Sequence, residues 1–405
     1  MRATRLLARP LVLMTITALG TGCGSRRPPA GSLPVAAIVD TTWFISSRAR
    51  DDGRDTQRLA DSLEYGAVIT RRSASDDPSG DGGLSFRIID SATFTRAEFE
   101  TRLRMRVHHG SDDPATRFAV LYTHGFGTSL HEAWENTLHA RLRSRGKQPW
   151  VVFCWPSAGA GVAWPRHDAF FTSAYRTDAE SAVASRGTFG RAVGVMIRAV
   201  GGRGLLLLSH SMGARIMGAA LASDSTVQAA LRDEPLRAVA FVSPDIDAIT
   251  FGDTIVPALR PLTKRLLLYA SSNDLMLALA RNINNSERAG LFRGVPGTPM
   301  VRGGLESIDM THTVRADGGL RRIFNSRHNM TRATAALFDL IHLVGGERPV
   351  DCRVQLGTAR LTVAGAWSLT MVPLPPLDAA SRCTEDTPPP HQRGSSTGST
   401  MATTP

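Results

Sequence analysis

A chain of 405 residues, 42% hydrophobic and 20% charged, has the composition of a globular protein and the length for one large core with appendages. Its net charge of +11 is carried almost wholly by arginine, since Lys147 and Lys264 are the only lysines, and no basic block is interleaved with aromatic residues. That distribution excludes a nucleic-acid binder while leaving contact with anionic lipid headgroups open. No His/Cys/Asp/Glu spacing suits a metal and no glycine-rich loop suits a phosphate, so no cofactor is expected.

The N-terminus speaks for export. Arg2, Arg5 and Arg9 precede the apolar run 11–19, which is too short to cross a bilayer and has the form of a secretory signal. The run ends in "ALGTGCGS", which resembles a bacterial lipoprotein signal with Cys23 as the lipidated residue; ordinary cleavage nearby is the alternative. Loss of residues 1–22 removes three arginines and no acid, taking the charge from +11 to +8. Residues 23–35, with "RRPPAGSLP", read as a tether. Residues 36–346 read as the folded domain, 347–386 as a C-terminal extension and 387–405 as a disordered tail of Pro, Ser, Thr and Gly.

Strands are expected at 36–45, 63–70 and 103–107, the last half-exposed because apolar residues alternate with arginines. Buried strands follow at 118–123, 150–155, 204–209, 238–243 and 265–271, with a weaker one at 305–310. After "HGFGT", Ser129 and Glu132 form a capping box, and Leu130, Trp134, Leu138 and Leu142 give one apolar helical face closed by Gly146. Ala336, Leu337, Leu340, Ile341 and Val344 give a second face, stopped by Gly345 and Gly346. Strands without helices followed by strand–helix alternation predict an α/β fold: a mainly parallel sheet, antiparallel at its start, with helices on both faces. Such sheets bind ligands at the carboxyl ends of their strands.

The chemically capable residues fall at those ends. Ser211 directly follows the leucine strand, in the small-x-Ser-x-small form (Ser209 to Gly213) of a nucleophile elbow. After strand 118–123, His124-Gly125-Phe126 would aim the N–H of Phe126 at a developing oxyanion, and the N–H of Met212 would be the second donor. His124 itself reads as a hydrogen-bonded structural residue. For the acid, Asp274 lies just past strand 265–271, with Asp245 and Asp247 of "FVSPDID" as alternatives that could instead brace a loop. For the base, His328 of "RHNM" stands ahead of the last amphipathic helix, and His312 is the alternative. Cys154 sits in an apolar strand, and Cys352 and Cys383 would be able to pair in an oxidising compartment.

The set "FISSRAR", "LYTHGFGTSLHEAW", "VVFCWPSAG", "LLLLSHSMGARI", "FVSPDID", "LYASSNDLMLALA" and "RHNM" resembles an uncharacterised bacterial family of α/β-hydrolases, over residues 38–346. The departure at Ser209, where glycine is usual, is mild; the extension 347–405 has no counterpart. The resemblance implies a serine hydrolase of ester bonds with the order Ser211, Asp274, His328, acting on a small-molecule or lipid ester and, if Cys23 is lipidated, anchored to the membrane of the bacterial envelope. Two other readings use the same residues: an amide- or thioester-cleaving variant, and an envelope binding or scaffold protein that keeps the fold without turnover. Segments 155–175 and 275–304 are expected to wall the site, with Trp164, Phe170 and Phe171 as candidates for an acyl pocket.

Overall fold

The computed structural model describes residues 37–51, 54–73, 86–110, 113–157, 168–292, 299–313, 328–329, 333–370 and 374–383. The signal segment 1–22, Cys23, the tether 23–35, Trp164 and the tail 387–405 lie outside the described residues, as do the side chains of Phe170 and Phe171.

Among the described residues, eleven strands form one sheet. In chain order they are β1 (Ala37–Asp51), β2 (Arg54–Ser73), β3 (Phe86–Phe94), β4 (Ala119–Thr123), β5 (Trp150–Cys154), β6 (Leu205–His210), β7 (Ala238–Val242), β8 (Leu266–Ala270), β9 (Glu306–Asp309), β10 (Ala359–Leu361) and β11 (Trp367–Leu369). Their spatial order is β10-β11-β9-β8-β7-β6-β4-β5-β1-β2-β3. Pairing is parallel from β1 through β5, β4, β6, β7, β8 and β9 to β11, and antiparallel where β2 and β3 begin the sheet and where β10 ends it. A mainly parallel sheet with an antiparallel start is what the strand pattern predicts.

The short central strands are buried on both faces, which explains their unbroken apolar runs. Alternate residues serve alternate layers. Leu205 and Leu207 of β6 pack in one core with Phe99, Val193 and Ile216, while Leu206 and Leu208 pack in the other with Ala133, Leu337 and Ile341. The first layer is built by the helices α1 (Arg96–His109), α3 (Asp168–Ala184), α4 (Arg186–Val200), α5 (Gly213–Ser223) and α6 (Ser225–Asp233). The second is built by α2 (Leu130–Arg143) and by the helix that starts at Thr334 and widens to a π turn over Asp339–Val344.

Residues 103–107 are not a strand. They lie in α1, because Phe99, Leu103 and Val107 recur every four residues and are all buried, whereas Met105, which a period of two would also bury, is 56% exposed. The start signal is a complete capping box, Thr95 with Glu98. In α2 the predicted box of Ser129 and Glu132 is present, but the left-handed turn after the helix falls on Arg145 (φ 58°), one residue before Gly146.

The segment after Gly346 extends the same sheet. β11 pairs parallel with β9, Trp367 opposite Ile308, and β10 closes the edge. Arg353, 1% exposed, fixes this segment to the domain: it donates to Asp339 at 2.7 and 2.9 Å and to Glu306 at 2.8 Å. Burial alone would raise the Asp339 carboxyl, but the Arg353 guanidinium holds it below the ordinary value. Cys352 and Cys383 form a disulfide, so the extension is clipped at both ends.

Candidate active site

The centre of the site is the turn from β6 into α5. Ser211 has φ 53°, a left-handed conformation that a residue with a Cβ adopts only when its surroundings impose it. Those surroundings are hydrogen bonds on both sides: Ser211 N–H donates to Val242 O at 3.1 Å, and its carbonyl accepts from the N–H groups of Ala214 and Asp245 at 3.1 Å. The small residues flanking it have a packing reason. A Cβ on Gly213 would lie 2.4 Å from His124 O and 2.7 Å from Thr123 O, and one on Gly125 would lie 3.1 Å from Ser211 Cβ. Gly213→Ala therefore pushes the turn off the end of β4. We expect it to destabilise the protein by ~1–3 kcal/mol, as overpacking does, and to reduce any Ser211-dependent rate. A thermal melt and an esterase assay check both; an unchanged melting temperature would show that the turn has slack.

Asp274 and His328 are brought together although 54 positions apart. Asp274 is the N-cap of the helix Leu275–Asn284; its Oδ1 accepts the Leu277 N–H at 3.0 Å. That bond leaves Oδ2 to accept from His328 Nδ1–H at 2.7 Å. Nδ1 carries the proton in this pairing, so Nε2 is the nitrogen left to accept one. Burial draws the His328 pKa down, but the charge and hydrogen bond of Asp274, with the charge of Asp245, outweigh it, and the net shift is upward from 6.5.

The alternative acids have other occupations. Asp245, at the end of β7, accepts from Tyr175 Oη at 2.6 Å and Arg215 Nη2 at 3.0 Å and faces Arg288 Nε at 3.4 Å. It is a brace joining α3, α5 and the loop after β7. Asp247 caps a short helical turn, accepting the Thr250 N–H at 2.8 Å. His312 is exposed in the turn after β9 and does not line the cavity described below.

His210, beside the elbow serine, is a residue the sequence reading left without a role. Its Nε2–H donates to the backbone carbonyl of His328 at 2.7 Å, and the two rings lie 4.7 Å apart. Burial and the adjacent His328 lower its pKa to about 3, so it stays neutral and keeps that donor. It holds the backbone from which the His328 imidazole hangs. The only sequence signal was its place inside the elbow. His124 is likewise neutral, its pKa lowered to about 3 by burial and by Arg48, and it stacks on Trp155 with ring centroids 5.2 Å apart.

Phe126 lies in the loop after β4, and Met212 opens α5. The loop is pinned by a buried carboxylate from α3: Asp178 accepts the Gly127 N–H at 2.9 Å and the Ser157 hydroxyl, which itself accepts the Thr128 N–H at 3.0 Å. From the other side, Arg48 of "FISSRAR" donates to Thr128 O at 2.7 Å. Nothing in the sequence singled out Arg48, which lies beyond the strand expected at 36–45, or Asp178.

Ser211 and His328 open into one cavity of about 340 Å³. Phe126 and Tyr175 form one side and Met276, Leu277 and Ala280 another, so the segments 155–175 and 275–304 contribute to its walls. A hydroxyl in a strained turn, an imidazole oriented by a buried carboxylate, and a pinned loop at the end of β4 supply the parts for acyl transfer.

A family model described as alpha/beta hydrolase of unknown function (DUF900) matches residues 95–331, more than half of the 405-residue chain. Similar solved structures include a predicted CIB-like hydrolase from Thermoplasma acidophilum, 11% identical, covering 75% of this chain and 100% of that one with a TM-score of 0.28. EstE1, a thermostable carboxylesterase cloned from a metagenomic library, is 12% identical, covering 79% and 92% with a TM-score of 0.30. An arylesterase is 10% identical, covering 77% and 87% with a TM-score of 0.27. At that distance the three likenesses carry no argument. No curated protein matches the chain.

Proposed function

We propose that this chain, which belongs to the alpha/beta hydrolases of unknown function (DUF900), is a serine esterase that cleaves small carboxylic esters. The observation that carries the reading is the sharing of one cavity by Ser211, held at φ 53°, and His328, paired with Asp274 at 2.7 Å. Ser211 Oγ attacks the ester carbonyl carbon while His328 Nε2 takes its proton. The tetrahedral oxyanion is met by the N–H groups of Phe126 and Met212. Collapse expels the alcohol, which takes the proton from His328, and leaves an acyl group on Ser211. Water, deprotonated by the same imidazole, then releases the acid. Asp274 orients the imidazole and stabilises its charged form throughout.

A fluorophosphonate probe tests the reading: it should label the wild type and spare Ser211→Ala. Absence of label on folded wild type would return the chain to the class of binding or scaffold proteins.

We also propose that the esterase is an envelope lipoprotein attached through Cys23, a reading supported by the basic start, the apolar run 11–19 and Gly22-Cys23. Multiple acyl chains on one cysteine exceed what stable anchoring needs. Metabolic labelling with a palmitate analogue should mark the wild type and not Cys23→Ala. A soluble, unlabelled exported protein would remove the anchor and leave the esterase reading intact.

A further inference from the structure

A second cavity, of about 280 Å³, lies at the opposite end of the sheet from Ser211, beside the amino ends of β4 and β5. Five parts of the chain meet there: the end of α1, the approach to β4, the turn between α2 and β5, the end of the helix at Val344, and the short helix Leu377–Arg382. The last of these is held in place by the Cys352–Cys383 disulfide, so the C-terminal extension supplies one wall.

The charges in this cavity are unbalanced. Arg348 faces Asp113 at 3.7 Å, and Asp378 pairs with Arg382 at 2.8 Å. Arg106, Arg145 and Lys147 also line it, and none has a carboxylate partner among the described residues. Arg198, which lines another cavity, is by contrast paired with Glu100 at 2.9 Å. Three cations around a concavity raise the local positive potential and favour an anion there. Burial and the neighbouring Arg145 charge hold His342, on the same wall, below its ordinary pKa. Gln148 lines the cavity too, and its Oε1 is buried with no hydrogen-bond partner among the described residues. Val107, Phe118, Ile341 and Leu377 make up an apolar side.

We propose that this cavity is a second ligand site and that it takes a phosphate monoester carrying a compact apolar body. A phosphate monoester holds −1.5 to −2 charges near neutral pH, opposite in sign to the cluster of Arg106, Arg145 and Lys147. Guanidinium groups meet phosphate oxygens through paired N–H donors. The organic part lies against Leu377, the most exposed of the apolar lining residues. The volume suits a small ligand and the site is independent of the esterase reading.

The same head group exists on soluble metabolites and on phosphatidic acid, and the test separates them. The full chain is titrated with phenyl phosphate by calorimetry, then sedimented with phosphatidylcholine vesicles with and without phosphatidic acid. The comparison is the double variant Arg106→Ala/Lys147→Ala, whose altered side chains are exposed and remote from Ser211. We expect phenyl phosphate to bind the wild type more tightly than inorganic phosphate does, and the double variant to bind it at least tenfold more weakly. The melting temperature and the circular-dichroism spectrum should be equal in the two proteins, which certifies the fold. Phosphatidic-acid-dependent sedimentation that is lost in the double variant assigns the lipid source; phenyl phosphate binding without sedimentation assigns a soluble one. The proposal is overturned if the wild type shows neither, or if the double variant behaves like it.

Discussion

Ser211→Ala is expected to reduce hydrolysis of nitrophenyl esters by on the order of 10⁶-fold, the scale on which a serine triad loses rate with its nucleophile. The melting temperature should hold or rise. The Ser211 side chain lines the cavity and belongs to none of the hydrophobic clusters, and alanine meets the same φ of 53° with the same Cβ, so the strain of the turn is unchanged. Residual turnover should be independent of His328, because an imidazole without a hydroxyl to activate has nothing to do in the acylation step. A variant that folds and keeps more than a few per cent of the wild-type rate would remove Ser211 from the mechanism.

His328→Ala is expected to cost nearly as much, because nucleophile and base act as one unit, while His312→Ala should stay within a factor of a few. His312 is exposed and stands away from the cavity, whereas His328 lines it. The pH profile gives an independent readout. The base works in its neutral form, so kcat/KM of the wild type should rise with pH along a limb whose apparent pKa lies above 6.5, the direction set by Asp274 against the pull of burial. Asp274→Asn removes that charge; the limb should move down and the rate fall by ~10⁴-fold as the imidazole loses its tautomer. The stability sign is the reverse. A folded pKa above the unfolded one means that protonated His328 favours the folded state fully below pH 6.5, and that this contribution disappears as pH climbs through the folded value. Thermal melts of wild type and Asp274→Asn should therefore differ most on the acid side and converge as pH rises. A gap that widens with pH would mean that His328 is not the group being stabilised.

The parts of this protein legible from one dimension were those made by neighbours in sequence. The leucine run of β6, the small residues around Ser211 and the Ser129–Glu132 box are local, and hydrophobic period and chain stiffness act over a few residues. Where two periods competed, local reading failed: residues 103–107 alternate like a strand, and only the burial of Phe99 with Leu103 and Val107 against the sheet resolved them as a helix. The choice among acids was a tertiary decision. Asp245, Asp247 and Asp274 all follow strands, and chain position cannot tell a carboxylate that meets two arginines from one that meets an imidazole 54 residues away. The buried Asp178 beneath the Phe126 loop and His210 under the His328 backbone were illegible for the same reason. So was the disulfide-clipped extension as part of the sheet. Sequence alone determined the central buried strands, the Ser129–Glu132 cap and the order of strand ends; tertiary structure decided which polar groups meet, because hydrogen bonds and charges act over a few ångströms whatever the separation along the chain.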